Sequence, residues 1–236
     1  MKEIAMKVIT TLARKGGCGK TSLIRALTSA ALSNNQRCLV LDADPQLSFV
    51  RWANRLEIYR DDLTVQPIFA VEDLDSVLDA AHDSGTVDTV FIDTKGEAGP
   101  WADYVVEQSD HIVCPMVPTE TDLDITADTF NYYCEARKRT EDPDGLPTFS
   151  VVLTRMPARP KKSQVLAARK AYERFPILDE MFLERSQHWD VDREGLLNEL
   201  AETRESSPNP LMRPHARLYR DALHEAQTIL KQLEAA

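Results

Sequence analysis

The segment that most restricts this chain is Lys15-Gly16-Gly17-Cys18-Gly19-Lys20-Thr21. The 236-residue chain has eight glycines, and three of them fall here. An apolar, β-branched run over 7–13 precedes the segment. A helical pattern over 22–33 follows it, with Leu23, Leu27, Ala30 and Ala31 on one side. A glycine loop between a strand and a helix aims backbone N–H groups at one point, and the helix dipole favours an anion there. That is the context of a phosphate loop. Backbone N–H groups of residues 16–20 are expected to cradle phosphate oxygens. Lys20 is expected to reach the β- and γ-phosphates, and Thr21 to place its hydroxyl on Mg²⁺. Glycine is concentrated where backbone must approach a ligand closely.

The rest of the chain repeats the strand–helix alternation. Apolar runs over 37–43, 63–69, 87–93, 111–117 and 148–154 read as strands, and 177–183 reads as a weaker one. Helical patterns cover 72–82, 121–139, 160–175 and about 213–235. Continuous apolar strands separated by helices predict a doubly wound, mostly parallel α/β sheet covered on both faces. Neither Pro-marked loop, 142–147 or 206–214, looks like a domain linker, so 1–236 is expected to form a single domain.

The usual phosphate-loop pattern needs glycine at position 14, where this chain has Arg14. The sequence instead reads K-G-G-x-G-K-T, with a lysine at each end. This resembles the deviant Walker A motif of the ParA/MinD family of cytoplasmic ATPases. The resemblance implies a P-loop NTPase domain without an N-terminal DNA-binding extension. Residues 15–22 would bind ATP: Lys15, Gly16, Gly17, Cys18, Gly19, Lys20, Thr21 and Ser22. It also implies that Lys15 is a signature lysine, reaching across an ATP-bound homodimer to the partner's phosphates as an arginine finger would.

The second strand ends in 39-LVLDADPQ-46, which resembles the DxDPQ of the same family. By that resemblance Asp44 orients the attacking water beside the metal, and Asp42 lies near the Mg²⁺ water shell. The strand over 87–93 ends in Asp93, a Walker B acid able to hold an Mg²⁺-bound water at the sheet's C-terminal edge. Here the chain departs from the family's D-x-P-P and reads 93-DTKGEAG-99. Lys95 and Glu97 bring charge, and Gly96 and Gly99 are expected to loosen this switch segment. The D-T-x-G wording is closer to the ParA-like accessory proteins of conjugative DNA transfer. In the same family the adenine pocket forms partly at the end of a late strand, which by resemblance makes Thr154 and Arg155, at the end of the 148–154 strand, the candidates.

The formal net charge is −10, which opposes nucleic-acid binding as a whole but not locally. From Arg155 to Arg174 the bases Arg155, Arg159, Lys161, Lys162, Arg169, Lys170 and Arg174 face Glu173 alone. Arg213, Arg217 and Arg220 fall on one face of the last helix. ParA-type proteins bind DNA without sequence preference, and such phosphate contacts need no base-reading motif. These two groups, with Arg185, are the DNA candidates. The resemblance thus implies plasmid partition or a role in conjugative transfer, with slow hydrolysis stimulated by a centromere- or DNA-site-binding adaptor. A MinD-like positioner of protein or membrane cargo is the alternative.

Other features narrow the field. No apolar run approaches the roughly 20 residues of a membrane span. The stripe Leu218, Ala222, Ala226, Ile229 and Leu233 predicts a last helix docked on the core, without stable membrane association. Cys18, Cys38, Cys114 and Cys134 are widely spaced, which points to a reducing cytoplasm, and the family resemblance implies association with the nucleoid there. They lack the pairing of a nitrogenase-type iron protein, and no carboxylate-substrate pocket of a dethiobiotin-synthetase-like enzyme is visible. The five histidines have no metal-ligand spacing. Trp52, Trp101 and Trp189 read as packing or switch-adjacent residues.

Overall fold

The computed structural model describes residues 6–96, 100–143, 145–209 and 212–235, and the side chains of Pro100 and Trp101 fall outside that description. Seven strands form one sheet: β1 (Lys7–Thr11), β2 (Cys38–Asp42), β3 (Leu63–Pro67), β4 (Thr89–Asp93), β5 (His111–Met116), β6 (Thr148–Met156) and β7 (Phe182–Leu183). Their order is β3-β2-β4-β1-β5-β6-β7, and every strand pair is parallel. The nine helices of the described residues are α1 (Lys20–Ser33), α2 (Ser48–Arg55), α3 (Glu72–Ser84), α4 (Pro100–Glu107), α5 (Glu120–Arg139), α6 (Lys162–Arg174), α7 (Ser186–Glu194), α8 (Leu197–Glu205) and α9 (Arg213–Ala235).

Neighbouring strand residues alternate between the two sheet faces, as a pleat requires. Ile9, Val40, Phe91, Val113 and Val152 share a core with α1, α2, α7, α8 and α9. On the other face Leu12, Ile112, Cys114, Val151 and Leu153 pack with α5 and α6. Val8, Leu39, Leu41, Val90 and Ile92 pack there with α3. A sheet buried on both sides accounts for the unbroken apolar runs of the sequence. β1 lies between β4 and β5, so the crossovers diverge beside it. Ligands bind at such a switch point, outside the carboxyl ends of the strands.

The expected strand over 177–183 is reduced to Phe182–Leu183. Ile177 forms an isolated bridge with Val151. The chain then bows outward, and the N–H groups of Asp179 and Glu180 turn to Gln232 Oε1 of α9 instead of a strand. The sequence reading also missed four short helices, α2, α4, α7 and α8. Their eight or nine residues are too few to display a helical period clearly.

The last helix docks on the core. Ala222, Ala226, Ile229 and Leu233 have no exposed surface, in a cluster shared with Ala30 and Ala31 of α1. Leu218 departs from the expected stripe and is 42% exposed. Small residues allow α1 and α9 to approach closely, so added volume there meets a filled space. Ala226→Leu is expected to destabilise the protein by about 1–3 kcal/mol, whereas the exposed Leu218→Ala changes stability by less than about 0.5 kcal/mol. Urea unfolding of both variants measures the contrast.

Candidate nucleotide-binding site

The glycine loop runs from the end of β1 to the first turn of α1. Gly17 has φ 77° and Gly19, at the cap of α1, has φ 106°. L-residues with side chains are strained in that region, so these two positions require glycine. Thr154 Oγ1 donates to Cys18 O at 2.9 Å and fastens the loop to β6. Cys18 is buried, and its Sγ donates to Lys15 O at 3.3 Å. Burial raises the pKa of this thiol, so it is a packing residue with little thiolate character.

A cavity of about 560 Å³ opens over the loop, lined by Gly16, Gly17, Gly19, Lys20, Thr21 and Ser22. Asp44, Pro45, Gln46, Ser48, Lys95, Gly96 and Arg155 complete it. Lys20 is buried, with its Nζ curled back over the loop at 3.2 Å from Lys15 O. Gly96 packs closely against the loop. A Cβ there would lie 3.2 Å from Lys20 Nζ and 3.3 Å from Gly16 N. Glycine lets the segment approach the loop closely without displacing it. Glu97 and Gly99, expected to act with it, lie outside the described residues.

The acids at the strand ends divide. Asp42 of β2 and Asp93 of β4 are register partners. Asp42 is fully buried, and both of its oxygens are occupied by backbone N–H groups. Asp44 is partly exposed on the cavity wall, where its Oδ1 accepts from Gln46 N at 2.8 Å. Asp93 is fully buried, and its Oδ2 has no partner among the described residues. Burial pushes its pKa up to about 7, and hydrogen bonding to Thr21 pulls the other way. An orphan carboxylate oxygen, a hydroxyl and a second carboxylate are the hard oxygen donors that Mg²⁺ prefers. Asp93, Thr21 and Asp44 thus fit this ion, which neutralises phosphate charge when bound.

The two loop lysines diverge. Lys20 faces the phosphate cavity. Lys15 does not line it and forms an ion pair with Asp122, in the first turn of α5. Asp122 is 2% exposed, and its Oδ2 accepts from Val117 N at 3.2 Å. The sequence reading missed this residue. Its one signal was 119-TETD-122, a helix-start pattern in which Thr119 Oγ1 accepts from Asp122 N.

A second cavity, of about 390 Å³, adjoins the first. Gly19, Ser22 and Arg155 line both. Thr154, Phe182, His188 and Trp189 are among its other walls. Arg155 has φ 53°, a left-handed conformation uncommon outside glycine and asparagine. His188 Nε2 is buried without a partner among the described residues, and burial pushes the pKa of its ring down to about 4. A neutral ring with a free nitrogen suits a base or ribose hydroxyl. Trp52 is core, donating from Nε1 to Val191 O. Trp189 is 76% exposed, contrary to a packing role.

The DNA candidates separate by their pairing. Arg185 Nε is held by the buried Glu225 at 2.9 Å. Lys170 pairs with Glu120, Arg220 with Glu205, and Arg217 with Asp221. Arg213 Nε donates to Ser207 O. Arg159, Lys161, Lys162 and Arg169 are exposed and in no ion pair among the described residues.

Residues 6–236 match the family described as VirC1 protein. The chain belongs to the VirC1 family. A virC1 protein of Rhizobium rhizogenes is 26% identical over 230 residues, covering 96% of each chain. The maintenance of carboxysome distribution protein A of Gloeobacter kilaueensis is 30% identical over 192 residues, covering 80% of this chain and 82% of that one. The cell division protein MinD of Aquifex aeolicus has the same fold, with a TM-score of 0.69 at 16% identity and 98% coverage of both chains. The parallel sheet is therefore that of the P-loop fold, which MinD and a ParA-family ATPase of Chlorobium tepidum also have.

The Asp93 carboxyl gives a pH prediction. Its folded pKa of about 7 exceeds the ordinary 3.8, so folding favours the protonated form. The stabilisation is complete below the ordinary value and disappears as pH rises through about 7. The metal-free protein should therefore lose thermal stability between about pH 4 and pH 7, and Asp93→Asn should flatten that loss. Added Mg²⁺ should restore stability in the parent chain at pH 8 and leave the variant unchanged. Thermal melts with and without Mg²⁺ test both.

Proposed function

We propose that this chain is an ATP-hydrolysing positioning protein. ATP and Mg²⁺ bind across the two cavities, and two subunits close face to face over them. The observation that carries this reading is the divergence of Lys15 from Lys20. A lysine on the phosphate loop that is turned away from its own cavity is free of duty to its own nucleotide. In the closed pair Lys15 leaves Asp122 and enters the partner's triphosphate, where it offsets charge on the transferring phosphoryl group. Leaving exposes a cost, because the buried Asp122 loses its cation. The partner's γ-phosphate gives Lys15 a more highly charged anion in place of Asp122, which offsets that cost, so closure depends on ATP. Asp44 orients the water that attacks the phosphorus.

DNA is the cargo that the uncommitted cations favour. Arg159, Lys161, Lys162 and Arg169 cluster at and just before α6, and phosphate contacts need only such unpaired charge. The opposing observation is apolar. Val165, Leu166 and Tyr172 are exposed on the same helix and add nothing to phosphate binding. They favour the second reading, in which α6 meets a protein cargo or adaptor.

Lys15→Gln is expected to abolish ATP-dependent dimerisation while nucleotide binding persists. Asp44→Ala is expected to bind ATP and remain dimeric, because hydrolysis fails. Light scattering of both with ATP tests the pair, and identical behaviour counts against these roles. Reversing Lys161 and Lys162 to Glu should abolish salt-sensitive co-sedimentation of the ATP form with duplex DNA. Retained DNA binding would favour the protein-cargo reading.

A further inference from the structure

Asp42 was expected near the metal's water shell, but its surroundings assign it elsewhere. It is fully buried and absent from the walls of the phosphate cavity. Its Oδ1 accepts from Asp44 N at 3.2 Å. Its Oδ2 accepts from Phe49 N at 2.8 Å and Val50 N at 3.0 Å. A carboxylate offers about four lone-pair sites, and three are filled by backbone donors. Its neighbour across the sheet, Asp93, keeps an unpartnered oxygen.

The donors explain the arrangement. The first N–H groups of a helix have no partners within it. α2 has Leu47 at its cap position, in a left-handed conformation with φ 49°, and no capping side chain. Asp42 supplies the missing acceptor from seven residues upstream, and its negative charge suits that helix end. The intervening loop is thereby fixed at both ends. Asp42 holds Asp44 N at one end and the first turn of α2 at the other, while Leu47 N donates to Asp44 O at 2.8 Å. The far side of α2 is anchored too, since Phe49 and Trp52 are buried and Arg25 Nη2 donates to Ser48 O at 3.0 Å.

We propose that Asp42 is a positioning residue that fixes the Asp44 carboxylate over the phosphate cavity through the backbone of residues 44–50, and that it is not a metal-shell residue. The proposal rests on the reading of Asp44 as the water-orienting group. A loop released from Asp42 would still bind ATP through residues 16–21 but would present Asp44 poorly, and a displacement of about 1 Å can cost roughly 100-fold in rate.

The test compares Asp42→Asn, Asp42→Ala and Asp44→Ala for hydrolysis, nucleotide affinity and Mg²⁺ half-saturation. Asp42→Ala is expected to lower kcat about 100-fold, with nucleotide Kd and Mg²⁺ half-saturation within about twofold of the parent. Asp42→Asn keeps one acceptor oxygen and should rescue part of the loss. A rise of about 10-fold or more in the Mg²⁺ half-saturation of Asp42→Asn would overturn the proposal in favour of a metal role. Amide hydrogen exchange at Phe49 and Val50 gives a readout independent of activity and serves if Asp42→Ala fails to fold. Faster exchange there in Asp42→Asn supports the proposal, and unchanged exchange overturns it. Full hydrolysis by Asp44→Ala, alongside faster exchange in Asp42→Asn, would instead overturn the role given to Asp44 and leave the Asp42 contacts standing.

Discussion

Two left-handed residues, Gly17 and Gly19, allow the chain to turn from the buried strand β1 directly into the buried helix α1. The rest of the site depends on that turn. It aims backbone N–H groups into open space, keeps Lys20 folded over the loop and delivers Lys15 to the far side. Residues with side chains at these two positions would strain the turn. On one side the loop is closely approached by the segment after β4. Gly96 passes within a few ångströms of Lys20 Nζ and Gly16 N, so the segment after β4 is shaped by the same turn.

Around that loop, charge is distributed so that each buried group has one task. Asp42 is spent on backbone donors, Asp93 retains an orphan oxygen, and Asp122 holds a lysine. Burying three carboxylates at one end of a sheet is costly without partners. The partners differ in kind, and that difference separates the roles. Backbone N–H groups form a permanent partnership. A lysine on a long stem can depart. An unfilled oxygen invites a cation.

Much of this was legible in the chain. The strands β1 to β6 were readable because a sheet buried on both faces demands unbroken apolar runs. The phosphate loop was readable because glycine spacing and the following helix are local. β7 was read too long, since Gln232 of α9 captures the N–H groups that a longer strand would have used. The cap of α2 was hidden because its acceptor lies on a different element. The pairing of Lys15 with Asp122 spans 107 residues, and no local pattern encodes such a contact. The same applies to Arg185. In sequence it is one more exposed cation, but in the fold it is held by Glu225.

The sequence by itself determined the architecture and the chemistry of the loop, because hydrophobic period and glycine spacing act over a few residues. It also determined which acids end the strands at the sheet's carboxyl edge. Only the tertiary structure decided how those acids divide their work, which basic residues stay uncommitted and where the second lysine rests. Those outcomes depend on partners far apart in the chain, brought together by the packing of helices on both faces of the sheet.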